Sequence, residues 1–122
     1  MHWLSVLMVF IGGGLGSVLR YGISIGVLRM ISLGLPLATL VSNMVSTALL
    51  AIVVWRLAPQ LSPNGLLFLT IGFCGGFSTF STLSLETFEL LKTEQYLWAA
   101  MNVIVSVALA LTLLFILSKS IK

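Results

Sequence analysis

Four long apolar stretches, separated by connectors of only a few residues, constrain this chain more than any other feature. A membrane-spanning helix takes roughly 20 apolar residues. Four such helices with short loops consume residues 1–122, which leaves one transmembrane domain and no room for a soluble one. Only 7% of residues are charged, where a soluble domain carries about 25%. In a bilayer every backbone polar group must find its partner inside the segment or inside the protein. The expected fold class is therefore an all-α membrane protein of four transmembrane helices.

The spacing predicts helix one from about Trp3 to about Val27, and helix two from about Leu35 to about Trp55. Pro36 is tolerated in the first turn of the latter. Helix three is expected from about Leu66 to Leu91, and helix four from about Gln95 to Leu117. Short connectors imply an up-down-up-down course. The first apolar stretch outruns a signal-peptide core and lacks a cleavage pattern, so it reads as a retained helix. Cys74 is the single cysteine and has no internal disulfide partner. No basic run suggests nucleic acid. The chain has one histidine, His2, and no aspartate, so no nucleophile–base pair or metal-ligand spacing points to an enzyme.

Charge gives little orientation. Arg56, Lys119 and Lys122 fall on one side of the membrane, and Arg29 and Lys92 on the other, with Arg20 near the end of helix one. The positive-inside rule has almost nothing to act on. Such a chain can insert both ways up and so supply an antiparallel dimer; a marginal bias toward one orientation is the alternative. Four helices are too few to enclose a generous pore, so polar residues at membrane depth should mark where protein meets protein or water.

The densest polar cluster lies in helix three, Gly72-Phe73-Cys74-Gly75-Gly76-Phe77-Ser78-Thr79-Phe80-Ser81-Thr82-Leu83-Ser84-Leu85-Glu86. Glycine costs about 1 kcal/mol relative to alanine in a helix interior. The Gly75-Gly76 pair followed by hydroxyls predicts a break there. Freed carbonyls suit a hard monovalent cation, and freed N–H and O–H groups suit an anion. A kinked helix whose Ser and Thr side chains bond back to their own backbone is the plainer alternative. Glu86 can cap a polar file, pair with a cation or reach the interface. In helix two, Asn43 stands among Ser42, Ser46 and Thr47; it either glues helices together or donates to an anion. Arg20 either snorkels or sets a positive vestibule potential. Phe80 can turn its electropositive ring edge toward an anion. In helix one, Gly12 to Gly16 and Gly22 to Gly26 are small-xxx-small spacings that let helix backbones approach closely.

Three stretches carry a resemblance. They are Gly12-Gly13-Gly14-Leu15-Gly16-Ser17-Val18-Leu19-Arg20-Tyr21, Leu35-Pro36-Leu37-Ala38-Thr39-Leu40-Val41-Ser42-Asn43, and Gly72 to Thr82 closing with Glu86. In order and spacing the chain resembles the CrcB/Fluc family of fluoride channels over essentially its whole length. The helix-three motif is the most specific part. The resemblance implies a dual-topology antiparallel homodimer in the bacterial plasma (inner) membrane. It implies two pores that export fluoride passively, and a central sodium ion at the dimer axis. On this sequence the sodium would be held by backbone carbonyls of Gly75 and Ser78. The fluoride pathway would comprise Asn43, Phe80, Ser81, Thr82 and Glu86, with Arg20 shaping the vestibule. The family usually has a second phenylalanine three residues after the first, where this chain has Leu83. It also often has small glycines where this chain has Ser46 and Thr47. These departures allow the chain to be a partner subunit of a heterodimeric channel. The other alternative is a small four-helix dual-topology multidrug exporter, but such proteins need a carboxylate in helix one, and this helix one has none.

Overall fold

The computed structural model describes residues 2–30 and 36–121. Among them, four helices are long and apolar enough to cross a membrane: helix one Trp3–Met30, helix two Leu37–Gln60, helix three Pro63–Lys92 and helix four Tyr96–Ile121. The expected spans hold, with ends shifted by a few residues. Leu35, the expected start of helix two, and Lys122 of the charge map lie outside the described residues. Helix one runs past Val27 because Leu28, Arg29 and Met30 give the helix no reason to stop. Helix three begins earlier than Leu66 because Ser62 and Pro63 form a ready-made start. The Ser62 side chain accepts a bond from the Gly65 N–H at 3.1 Å, and Pro63 occupies the first turn, where its missing N–H costs nothing.

Two wide-wound π-helical stretches, Val53–Leu57 and Phe68–Cys74, interrupt helices two and three. The second lies against helix one and belongs to the tightest seam in the molecule. A Cβ at Gly12 would run into the Phe68 carbonyl and lie 3.0 Å from the Phe73 nitrogen. At Gly16 it would run into the Phe73 carbonyl, and at Gly76 into the carbonyl of Gly13. The expectation for Gly12 and Gly16 is thus met by backbone-to-backbone packing of helices one and three. Gly22 and Gly26 do not share it, since a Cβ at either would meet nothing within 4 Å among the described residues.

Helix three turns into helix four through a tight left-handed cap. Glu94 has φ 60°. The Gln95 N–H reaches the Leu90 carbonyl at 2.9 Å and the Glu94 N–H reaches that of Leu91 at 3.1 Å. This is the bond pattern of a Schellman motif, with glutamate at the place usually held by glycine. Few side chains are fully buried, and Phe77 and Val53 are the largest of them. Phe10, Phe80 and Phe115 all face outward, as expected of a protein that meets lipid or another chain on most sides.

Candidate functional site

Helix three does break, two residues beyond the glycine pair. Gly75 and Gly76 stay helical, and the chain becomes extended at Ser78 (ψ 156°) and Thr79 (φ −152°, ψ 118°). Of the two, Gly76 serves the contact with helix one, where a Cβ would run into the Gly13 carbonyl. The break itself is stabilised by side chains that offer the backbone other partners. Thr79 caps the second half of the helix, its hydroxyl accepting from the Thr82 N–H at 3.1 Å. Capping by threonine is worth about 1 kcal/mol.

A helix ending in mid-membrane leaves its last carbonyls without intrahelical partners. Side chains cover some of them. The Cys74 carbonyl accepts from the Ser78 N–H at 3.0 Å, and from the hydroxyls of Ser78 and Ser46 at 2.9 Å each. The Gly76 carbonyl accepts from Arg20 Nε at 3.1 Å and the Ser17 hydroxyl at 3.4 Å. Asn43 grips the Thr79 peptide at both ends: the Thr79 N–H donates to Asn43 Oδ1 at 2.8 Å, and Asn43 Nδ2 donates to the Thr79 carbonyl at 3.4 Å. That first bond takes the N–H that would otherwise have closed onto Gly75. The carbonyls of Gly75, Phe77 and Ser78 therefore receive no hydrogen bond among the described residues.

The structure sorts the expected pathway residues onto two faces. Asn43, Thr79, Thr82 and Glu86 follow the seam between helix two and the second half of helix three. Thr79 Oγ1 donates to Thr82 Oγ1 at 3.1 Å. One turn further on, the Thr39 hydroxyl donates to Glu86 Oε1, while Glu86 Oε2 is buried with no partner among the described residues. Phe80 points outward and is 81% exposed, and Ser81 is exposed as well. The Ser81 hydroxyl still lies 3.2 Å from that of Thr79. Leu83, at the family's second phenylalanine position, is buried at 8% exposure. A cleft of about 310 Å³ opens at the break, with Asn43, Ser78, Thr79, Phe80 and Leu83 in its wall. A second, of about 420 Å³, opens beyond it at Glu86, Glu89 and Thr93.

Arg20 differs most from its expected position. It stands ten residues short of Met30, about 15 Å along the helix, and docks on the break instead of sitting at a helix end. The back-bonding alternative holds for Ser78 and Ser84, which donate to the carbonyls four residues earlier. It fails for Thr79, whose hydroxyl is the cap. Among the polar contacts that escaped the sequence reading are Thr39 on Glu86, Ser46 on Cys74, and Asn102 Nδ2 donating to Thr87 Oγ1 at 3.0 Å. Thr39, Ser42 and Ser46 are all buried. Their spacing of three and four residues, the signature of one helix face, was the available signal. Asn102 had none beyond being an amide in an apolar helix.

Chemically, the break offers unpartnered carbonyl oxygens on one side and hydroxyls with an amide on the other. The carbonyls of Gly75 and Ser78 are hard neutral donors of the kind that replace the hydration shell of a monovalent cation. Gly75 is also exposed among the described residues. The donor set fits sodium, with further ligands to come from outside one chain.

Such a molecule is a multi-pass membrane protein with an interrupted, donor-lined helix at mid-depth, the architecture of proteins that move small ions. The family model described as "CrcB-like protein, Camphor Resistance (CrcB)" matches residues 7–117, and the chain belongs to that family. It is 43% identical over 114 residues to a "Fluoride-specific ion channel FluC" of Serratia proteamaculans, covering 90% of this chain and 89% of the relative. It is 42% identical over 118 residues to a protein of the same name from Pyrococcus abyssi, covering 95% and 94%. A third of that name, from Coxiella burnetii, is 40% identical over 111 residues, covering 88% and 90%.

Proposed function

We propose that the chain is a subunit of a fluoride-selective channel that lets fluoride leave the cytoplasm passively, down its electrochemical gradient. The observation that carries this reading is the clamp of Asn43 on Thr79, which holds a helix open at mid-membrane beside a file of hydroxyls. Relatives named as fluoride-specific channels along nearly the whole chain support it. Fluoride is strongly hydrated, so it needs replacement donors on its way through. One N–H of Asn43 remains after the Thr79 contact, because an amide carries two. The hydroxyls of Ser81 and Thr82 follow, and the Phe80 ring edge adds a weak attraction without a trapping charge. A site that conducts must bind well enough to admit an ion and weakly enough to release it. Glu86 closes the polar file, and helix one offers no carboxylate for proton coupling, so transport runs downhill.

The working unit in this reading is an antiparallel dimer with two pores. The exposed Gly75 and Phe80 and the nearly balanced loop charges support it. Carbonyls of Gly75 and Ser78 from both subunits would hold a structural sodium ion at the axis, which when bound offsets the cost of an anion at mid-membrane. The test is fluoride efflux from liposomes containing the purified chain, read with a fluoride electrode, with chloride efflux in parallel. Fast fluoride efflux with little chloride is expected. A well-folded dimer that passes no fluoride would overturn the reading for this chain acting alone and would leave a different partner chain to be supplied.

A further inference from the structure

We infer that Arg20 acts as a positioning residue for the break in helix three, by holding the Gly76 carbonyl, and that its charge is secondary to this hold. The inference rests on the fluoride-channel and sodium reading above.

Arg20 Nε donates to the Gly76 carbonyl at 3.1 Å, and the Ser17 hydroxyl, one turn earlier on helix one, reaches the same oxygen at 3.4 Å. No acidic side chain pairs with Arg20 among the described residues, whose one ion pair is Lys92 with Glu89. A guanidinium at mid-membrane without a carboxylate must be stabilised by dipoles, and the carbonyl end of a terminated helix is the negative end of such a dipole. The anchoring is rigid, because helix one meets helix three backbone to backbone at Gly12, Gly16 and Gly76. Arg20 thus projects from a fixed rail onto a fixed oxygen. With Gly76 occupied, the carbonyls left on either side of it are those of Gly75, Phe77 and Ser78. Without the hold, the Gly76 oxygen would be free to turn toward the cation and displace them.

A vestibule charge and a positioning donor respond differently to conservative changes. Arg20→Lys keeps the charge but loses the fixed planar donor, and Arg20→Gln keeps a donor but loses the charge. Each would be purified and reconstituted in liposomes, and fluoride efflux measured over a range of ionic strength at constant sodium. The rise in thermal stability on adding sodium, against N-methylglucamine, would be read on the same proteins in detergent. We expect Arg20→Lys, which has a carbon where the arginine has Nε, to lose about tenfold or more in fluoride efflux, the scale for removing a charge-assisted hydrogen bond. Arg20→Gln, whose Nε2 stands where the arginine Nε does, should lose clearly less. The loss in Arg20→Lys should be the same at low and high salt, and the sodium-induced stabilisation should shrink more in Arg20→Lys than in Arg20→Gln. Ser17→Ala, which removes the second donor to the same carbonyl and leaves the arginine in place, should shift the sodium response in the same direction by about twofold. It decides the matter if neither Arg20 variant folds. Wild-type efflux and sodium response in Arg20→Lys, with a loss in Arg20→Gln that fades as salt screens the charge, would overturn the inference. So would an unchanged sodium response in Ser17→Ala. A wild-type protein that passes fluoride but is indifferent to sodium overturns the cation reading and this inference together. One that passes no fluoride overturns the channel reading itself.

Discussion

Helix three is held on two sides by opposite means. Toward helix one the contact is made by missing side chains: Gly12, Gly16, Gly72 and Gly76 let one backbone lie on the other. Toward helix two it is made by added ones: Thr39, Asn43 and Ser46 each donate a hydrogen bond across the seam, to Glu86, Thr79 and Cys74. Association in a bilayer has little hydrophobic drive, so packing and hydrogen bonds must supply it. The glycine seam supplies packing and tolerates no added atom. The polar seam supplies direction, and it straddles the break, with Ser46 before it and Asn43 and Thr39 after it. One side fixes how close helix three lies, and the other fixes where it opens.

The comparison breaks most sharply at Gly16. Gly16→Ala drives a Cβ into the Phe73 carbonyl and to 2.8 Å from the Phe77 nitrogen, so backbone must move. A loss of about 3 kcal/mol or more is expected, visible as a lower unfolding temperature or loss of a monodisperse peak in detergent. Gly14→Ala is the matched control, since its Cβ would meet nothing within 4 Å among the described residues; no loss is expected, and alanine's better helix propensity contributes up to about 1 kcal/mol. Equal behaviour of the two variants would mean that the glycine seam does not carry the fold.

On the polar seam the largest effect falls on Asn43. Asn43→Ala removes both bonds to the Thr79 peptide, leaving its N–H and carbonyl without them. Each orphaned group costs about 1–3 kcal/mol, and fluoride efflux should fall at least tenfold while the proposed dimer still forms. Unchanged efflux would show that Asn43 only glues helices. Ser46→Ala should cost less, about 1 kcal/mol, because the Cys74 carbonyl keeps both bonds from Ser78; thermal unfolding in detergent reads this. The smallest effect, a net gain, lies away from both seams. Glu94→Gly relieves a left-handed backbone that costs a non-glycine residue about 1–2 kcal/mol, most of which is offset by the larger entropy that glycine loses on folding, so a slightly higher unfolding temperature is expected with efflux unchanged.

How much of this was legible follows the same division. The four spans, the existence of a break and the roles of Gly12 and Gly16 could be read because length, composition and glycine spacing act locally. The exact position of the break could not. Gly75 and Gly76 attract attention as helix breakers, yet both stay helical, and Gly76 is needed for its missing side chain, since a Cβ there would run into the Gly13 carbonyl of helix one. Thr79, an ordinary hydroxyl in a cluster of them, opens the chain because Asn43 on another helix takes its N–H. The pairing of Arg20 with Gly76 was hidden for the same reason: a hydrogen bond between residues 56 apart leaves no periodic trace. Nor do the π-helical windings at Val53–Leu57 and Phe68–Cys74, which have no compositional signature here.

The two extended residues at the break also act as a phase setting. Along extended backbone each residue turns the side-chain direction to the opposite side, so the number of residues between the two halves decides which way the second half faces. Ser78 and Thr79 together bring Glu86 round to Thr39 and send Phe80 outward. Deleting Ser78 would leave the glycine rail on helix one untouched and yet turn everything after it to another face. The carboxylate would swing away from its hydroxyl partner and the phenyl ring would swing off the outer face. The half of the helix that grips helix one is thus mechanically independent of the half that carries Thr82 and Glu86, and two residues of backbone keep the two in step.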